Sequence, residues 1–322
     1  MLRSGSISRR PSTWARGLGL LALAALGGCG NRTSLPQQHI GGVIPPSNTY
    51  RVKQVWTGFE AASDLILTSG SQVFVAFPER GEVVGYYRTS REPRPNGTVI
   101  AGGRPTFLAE GAGRELVIAD ADTAGGGRVR IIDLRAGGEL SVFSDSTWGE
   151  IGGIAADDSS NVYASDRTRN VVRKYDRAGS MLIELADEGS GIGFVQGPGE
   201  LDWQPGLVIV ADTGKGWVQG LDPWRSNTAF FFLNGAEGPL GPFGAVADVG
   251  GDEEGNLYVA DSGLGAVLKY TGAGDFDQRV DENAPAGSAG HLEAPVAVSA
   301  SATLVFVLDR SLGKIVTFEL DR

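Results

Sequence analysis

A short apolar run that ends in a small residue followed by aspartate recurs along the chain. It reads LVIAD, VYASD, VIVAD and LYVAD, with a looser copy VFVLD, and its aspartates are Asp120, Asp166, Asp212, Asp261 and Asp309. Successive aspartates are 46, 46, 49 and 48 residues apart. An earlier copy, VFVAF at Val73–Phe77, lies 43 residues before Asp120 and lacks the acid. The pattern indicates six copies of one unit.

Each copy is flanked by further β-rich runs. A turn and a second run such as GAVLKYT follow it, a run such as GGIAAD precedes it, and most copies have a fourth run such as MLIELA. Four short strands in a period of 40 to 50 residues are typical of a propeller blade. We therefore predict an all-β, six-bladed β-propeller over residues 50–322.

The ends of the chain predict how the ring closes. The sixth copy stops after its third run, Lys314–Leu320, which would leave a sheet edge exposed. A spare β-rich run, Tyr50–Trp56, precedes the first copy. We expect this N-terminal strand to form the outer strand of the last blade.

The repeated aspartates are interpreted as turn residues. A catalytic residue usually occurs once in a chain, whereas this acid returns in five of six copies. An aspartate carboxylate can accept backbone N–H groups two residues further on. Functional residues are therefore expected where the repeat is broken.

Two copies resemble the NHL-repeat family of β-propellers. These are GIAADDSSNVYASDRTRNVVRKYDRAG, which contains Asp166, and GNLYVADSGLGAVLKY, which contains Asp261. The other four copies are degenerate. The resemblance covers residues 50–322 and implies a six-bladed propeller, but it specifies function poorly.

The first 28 residues have the layout of a secretory signal peptide. Four arginines and no acids precede or flank the apolar run Leu18–Leu26, which is too short to span a membrane. The run is followed by LGGC, which resembles the lipobox of bacterial lipoproteins and implies cleavage before Cys29 and lipidation of that cysteine. Ordinary cleavage that leaves a stray thiol is the alternative. The segment SRRPST leaves Sec and twin-arginine export both open.

Residues 29–49 are expected to be a lipidated cysteine and a flexible Pro- and Gly-containing tether. The mature domain is then lipid-anchored in the bacterial cell envelope, facing the periplasm or the cell surface, and Gly30 favours the outer membrane. Loss of the four leader arginines changes the formal net charge from −10 to −14, which disfavours nucleic acid as a partner. We expect a monomeric domain.

The sequence shows no catalytic constellation. His39 and His291 are the two histidines and Cys29 is the one cysteine, too few for a zinc site. No G-x-S-x-G motif accompanies His291. The acidic run Asp248–Asn256 is expected in a solvated turn between two strands of the fifth copy, and the segment from Asp281 departs from a calcium loop. No cofactor is predicted, and a divalent cation such as calcium is kept as a weaker hypothesis.

The loops around one end of the propeller channel form the predicted binding face. Its candidate residues, which fall outside the repeat and are not expected to be needed for folding, are Arg104, Trp148, Arg167, Lys215, His291 and Arg310. Arginine and aromatic side chains are common interface anchors. The favoured function is a binding or scaffolding module for an envelope protein, peptide or glycan. The alternative is a metal-dependent hydrolase or lyase of the gluconolactonase-like or amidating-lyase-like propeller type.

Overall fold

The computed structural model describes residues 49–100, 102–121, 127–281 and 284–321, with the backbone alone over 94–100 and at 121. The predicted signal peptide, Cys29 and nearly all of the predicted tether lie outside these residues. Among the described residues, no helix is long and apolar enough to cross a membrane.

Six antiparallel sheets of four strands make up the described chain. Blade 1 contains β2 (Asp64–Leu67), β3 (Gln72–Phe77), β4 (Glu82–Tyr87) and β5 (Ser90–Ile100). Blade 2 contains β6 (Pro105–Gly111), β7 (Glu115–Ala121), β8 (Gly127–Asp133) and β9 (Gly138–Phe143). Blade 3 contains β10 (Ile151–Ala156), β11 (Val162–Asp166), β12 (Val171–Tyr175) and β13 (Met181–Ala186).

The second half of the ring repeats the arrangement. Blade 4 contains β14 (Pro198–Gln204), β15 (Leu207–Asp212), β16 (Trp217–Leu221) and β17 (Ala229–Leu233). Blade 5 contains β18 (Val246–Gly251), β19 (Leu257–Asp261), β20 (Ala266–Tyr270) and β21 (Phe276–Arg279). Blade 6 contains β22 (Pro295–Ala300), β23 (Leu304–Asp309), β24 (Lys314–Leu320) and β1 (Tyr50–Thr57). The predicted six-bladed propeller is confirmed.

Strand β1 closes the ring, as the sequence predicted. It pairs antiparallel with β24 from Tyr50 opposite Leu320 to Thr57 opposite Lys314. The Tyr50 hydroxyl lies 2.9 Å from the Tyr258 hydroxyl of blade 5. The N-terminal strand is therefore joined to two blades, by a backbone ladder to one and by a buried hydrogen bond to the other.

The core lies between neighbouring blades. The second strand of each blade is buried on both faces, which explains its near-continuous apolar sequence. Aromatic rings such as Trp56, Phe59 and Phe306 fill the contact between blades 6 and 1. Each blade packs against the two blades beside it, so both of its apolar faces are covered in the described chain.

Four of the repeated aspartates, Asp166, Asp212, Asp261 and Asp309, are the last residues of the second strands, directly before the turns, and Asp120 is the last but one of β7. Asp261 accepts the N–H groups of Gly263 and Leu264 in its own turn, at 2.9 Å each. It also accepts those of Gly244 and Ala245, at 2.7 and 2.8 Å, from the segment that enters the blade. Asp166 and Asp309 make the same two kinds of contact. One carboxylate thus fixes two loops on the same end of the propeller.

Candidate functional site at the channel mouth

The loops that follow the second strands surround the mouth of the central channel together with the loops between blades. They enclose a cavity of about 740 Å³ whose lining includes Arg104, Arg167, Glu200 and Arg310. This volume lies within the range of sites for small molecules and short peptides. Three of the six predicted rim residues, the three arginines, line this cavity.

Arg167 directly follows the turn aspartate of blade 3 and lies over Gly152. A Cβ atom at Gly152 would come within 2.8 Å of the Arg167 Cγ and 2.3 Å of the Pro198 carbonyl oxygen. The Arg167 Nη2 donates to the Gly152 carbonyl at 3.3 Å, and its buried Nε has no hydrogen-bond partner. The missing side chain at Gly152 therefore makes room for the stem of Arg167, whose side chain lines the mouth cavity.

Arg310 occupies the corresponding place after the turn aspartate of blade 6. It is exposed, and its Nη2 reaches only the Ser63 carbonyl, at 3.5 Å. Within the part of the chain that the structure describes, neither Arg310 nor Arg167 forms an ion pair. Arg104 differs, because its Nη2 lies 2.5 Å from the Glu79 carboxylate. Two cations at the mouth are thus available to a ligand.

The other three predicted rim residues are placed differently. Trp148 is 6 % exposed, packs against Phe143 and Tyr175, and donates its indole N–H to the Tyr175 hydroxyl at 2.8 Å. This burial does not agree with a place for Trp148 on an accessible binding face, and we expect its removal to lower the stability of the fold. A lone aromatic in a connecting loop here completes the core between blades 2 and 3.

Lys215 and His291 serve local structure. The Lys215 Nζ donates to the carbonyls of Gly191 and Phe194 and lies 3.2 Å from the Asp212 carboxylate. The His291 Nδ1 lies 3.1 Å from the Ala284 carbonyl oxygen. Both side chains hold connections between blades and do not line the mouth cavity.

Four carboxylates that the sequence analysis did not single out as site residues line the axial space below the mouth. Three of them stand at one level of the inner strands, and the fourth, Asp202, lies two residues beyond Glu200 on β14. Each blade places one innermost-strand residue at a corresponding position, and these residues are Asp64, Phe107, Gly153, Glu200, Asp248 and Ala297. Asp64, Glu200 and Asp248 are all buried. The placement of Asp248 in a solvated turn is corrected, since it lies within β18.

Hydrogen bonds distinguish the three acids. Asp64 accepts the N–H groups of Leu65 and Leu108, each at 2.6 Å. Asp248 accepts those of Val249 and Val298, at 2.7 and 2.6 Å. In both residues each carboxylate oxygen receives one backbone donor, which bridges two neighbouring blades and favours the charged form.

Glu200 lies between the mouth and the interior. Among the residues that line the two described cavities, it alone borders both the mouth cavity and a smaller space of about 40 Å³ deeper on the axis. A Cβ atom at Gly153 would lie 2.4 Å from the Glu200 Cα and 2.6 Å from its Oε2. Glycine in blade 3 thus leaves space for the glutamate of blade 4.

Burial raises the pKa values of these acids. Desolvation raises the pKa of Asp64 to about 7. Desolvation, followed by repulsion from Asp64 and Asp248, raises the pKa of Glu200 well above its ordinary value, while the Arg167 guanidinium opposes the shift. The pKa of Asp248 is raised by desolvation and then by Asp64. Asp64 and Asp248 each accept two backbone N–H groups, whereas Glu200 has the single backbone donor of Leu201, so the charged form of Glu200 is the least stabilised of the three.

In the described ranges, no group of three or more His, Cys, Asp or Glu side chains is arranged to hold a metal ion.

Comparisons with known proteins support the fold alone. No family model matches the chain, and no curated protein matches it. A chain of the crystal structure of the mitotic checkpoint complex aligns with a TM-score of 0.60 and 12% identity, covering 93% of this chain and 100% of that one. A chain of the nidogen/laminin complex aligns with a TM-score of 0.57 and 15% identity, covering 80% and 88%. Both are similar in fold, and the identities are too low to transfer a function.

The buried carboxylates predict an unusual dependence of stability on pH. Because the pKa of Glu200 is higher in the folded chain than in the unfolded one, its neutral form stabilises the fold fully below about pH 4, and this contribution is lost as the pH rises through its raised pKa. The same sign applies to Asp64, over a window from about pH 4 to about pH 7. We expect the free energy of unfolding to fall from pH 5 to pH 8.

Glu200→Gln tests this dependence, measured by denaturant unfolding at several pH values. The variant should lose less free energy of unfolding than the wild type between pH 5 and pH 8, by roughly 1 to 3 kcal/mol, because it removes one titrating carboxylate from a repulsive cluster. Glu150→Gln is the matched control, since Glu150 lines the same mouth but is exposed. A wild-type profile that rises from pH 5 to pH 8 contradicts the raised pKa values.

Proposed function

We propose that this chain is a lipid-anchored, extracytoplasmic β-propeller of NHL type that binds a protein, peptide or glycan partner at its channel mouth. The observation that carries the proposal is the mouth cavity of about 740 Å³, in which Arg167 and Arg310 have no acidic partner within the described residues. Cations exposed on a strongly acidic molecule attract polar or anionic groups.

The topology suits a tethered binding module. The mouth is formed at the end where β23 turns into β24, beside Thr57 and Gly58. Tyr50 lies at the other end of the same blade, where Asp321 donates its N–H to the Thr49 carbonyl. A tether that joins the propeller at Thr49 therefore attaches on the face opposite the mouth.

The structural neighbours are compatible with this role. Both were crystallised in complexes of proteins. Propellers present a rigid ring of loops whose residues can vary without changing the fold. The comparison supports a protein-binding scaffold in general and names no partner for this chain.

The binding proposal is tested by capture from envelope extract. We expect an Arg167→Ala/Arg310→Ala double variant to retain the wild-type melting temperature, because neither guanidinium forms an ion pair among the described residues, and to lose most of the captured partner. The loss is measured by quantitative mass spectrometry.

Arg225→Ala is the matched control for capture. Its side chain is 76% exposed on the outer turn of blade 4, and it faces Asp222 at 3.9 Å. The control should capture as much partner as the wild type. Undiminished capture by the double variant would show that the partner does not use the mouth.

The anchor is tested at Cys29. The wild type should fractionate with membranes, incorporate labelled fatty acid and accumulate as a precursor when globomycin inhibits lipoprotein processing. Cys29→Ser should incorporate no label, since it lacks the thiol to which the diacylglycerol is attached. A Cys29→Ser variant that is processed normally and stays in the membrane refutes lipidation.

A further inference from the structure

We propose that the channel mouth is a carboxylate-binding site in which the guanidinium groups of Arg167 and Arg310 hold the ligand and Glu200 forms its floor. The inference rests on the proposed binding function and deepens it by naming the chemical group that is recognised and a dependence on pH. A free carboxylic acid and an acidic side chain of a peptide share this chemistry.

The two arginines supply the attraction. Arg167 lines the mouth cavity, and its Nη2 makes one hydrogen bond, of 3.3 Å, to the backbone carbonyl of Gly152. Arg310 holds its nearest acceptor, the Ser63 carbonyl, at 3.5 Å. A guanidinium presents parallel N–H donors that match the two oxygens of a carboxylate, and such bonds are stronger than those between neutral groups.

The acidic side chains around the mouth favour a ligand group with one negative charge over a group with two. Glu60 and Glu150 also line the cavity, and Glu79 lies there paired with Arg104. These groups leave two unpaired cations facing two unpaired rim acids, above a glutamate floor. Arg167 and Arg310 balance Glu60 and Glu150, and a charged Glu200 makes the net charge of the set −1. A net charge of −1 repels a doubly charged phosphate more than a singly charged carboxylate. The charges therefore favour a carboxylate over a phosphate.

Glu200 makes binding sensitive to pH. The charged groups that act on it are Arg167 from the turn after β11, Asp64 on β2 and Asp248 on β18, while Gly153 on β10 contributes none. Asp202, two residues along β14, lines the same axial space and is a further acid near Glu200. When neutral, Glu200 removes one repulsive charge and offers an O–H donor toward the mouth cavity that it borders. A bound carboxylate favours this neutral form, so binding should take up a proton and strengthen as the pH falls.

The experiment is isothermal titration of the whole mature protein with succinate and with a blocked peptide that contains one central glutamate. A peptide with glutamine at that place and inorganic phosphate are the comparison ligands. At least one carboxylate ligand should bind, several-fold more tightly at pH 5.5 than at pH 8, and its heat should depend on the buffer in the way that proton uptake requires. Tighter binding of succinate indicates that the ligand is a small acid, and tighter binding of the glutamate peptide indicates that it is a peptide.

Variants assign the roles. Arg167→Gln and Arg310→Gln should each weaken binding about tenfold or more, whereas Arg225→Gln should not change it. Glu200→Gln should bind at pH 8 about as well as at pH 5.5. The proton-uptake measurement on the wild type tests the same point without a variant.

Three results overturn the inference. They are tighter binding of phosphate or of the glutamine peptide, unchanged affinity in both arginine variants, and full pH dependence in Glu200→Gln. If neither carboxylate binds although the double arginine variant loses its captured partner, the proposed function stands and this inference falls. If a carboxylate binds while partner capture is undiminished, the mouth is a small-acid site and the partner lies elsewhere.

Discussion

The antiparallel pairing of β1 with β24 is the interaction on which the rest of the molecule depends. A propeller blade cannot bury both of its faces alone, and each blade here packs on two neighbours. The pairing completes the last sheet with a strand from the opposite end of the chain, and the Tyr50 and Tyr258 hydroxyls extend the joint to blade 5. Only a closed ring brings the inner strands together around one axis, where the channel mouth and its acids lie.

Closure also explains how three acids are buried near one another. Asp64 and Asp248 pay for their desolvation by accepting backbone N–H groups from the next blade, so each links two blades. Among the described residues, Glu200 has no such bridge to the next blade, so burial disfavours its charged form most. Natural proteins keep destabilising groups of this kind chiefly where function uses them. The position of Glu200 below two unpaired arginines fits that expectation.

The fold could be predicted from the sequence because its determinants are local and repeated. The period of the turn aspartates and the spare strand Tyr50–Trp56 led directly to six blades and to their closure. The axial acids were missed because they stand in short inner strands whose sequences differ from copy to copy. Only alignment of the copies by strand register brings Asp64, Glu200 and Asp248 to one level.

The residues of the mouth were predicted only in part, again because the sequence reports local and repeated features. Arg167 and Arg310 each follow a turn aspartate, so the repeat itself placed them at the mouth. Trp148 lies in a connection whose length varies. Its burial depends on Phe143 at the end of β9 and on Tyr175 of β12, which is 27 residues further along the chain. Lys215 donates to backbone carbonyls of a connecting loop, and no local sequence pattern predicts this contact. Local sequence can place a turn residue, but not the contacts of a loop that folds back.

The central claim is tested most directly by removing the closing strand. A chain that begins at Thr49 should be soluble and should melt in one cooperative transition, monitored by circular dichroism. Deletion of residues 50–57 should leave an exposed edge on β24 and an uncovered apolar face between blades 5, 6 and 1, and should yield aggregated or misfolded protein. A soluble deletion variant that melts cooperatively, at the temperature of the longer chain, would contradict the account.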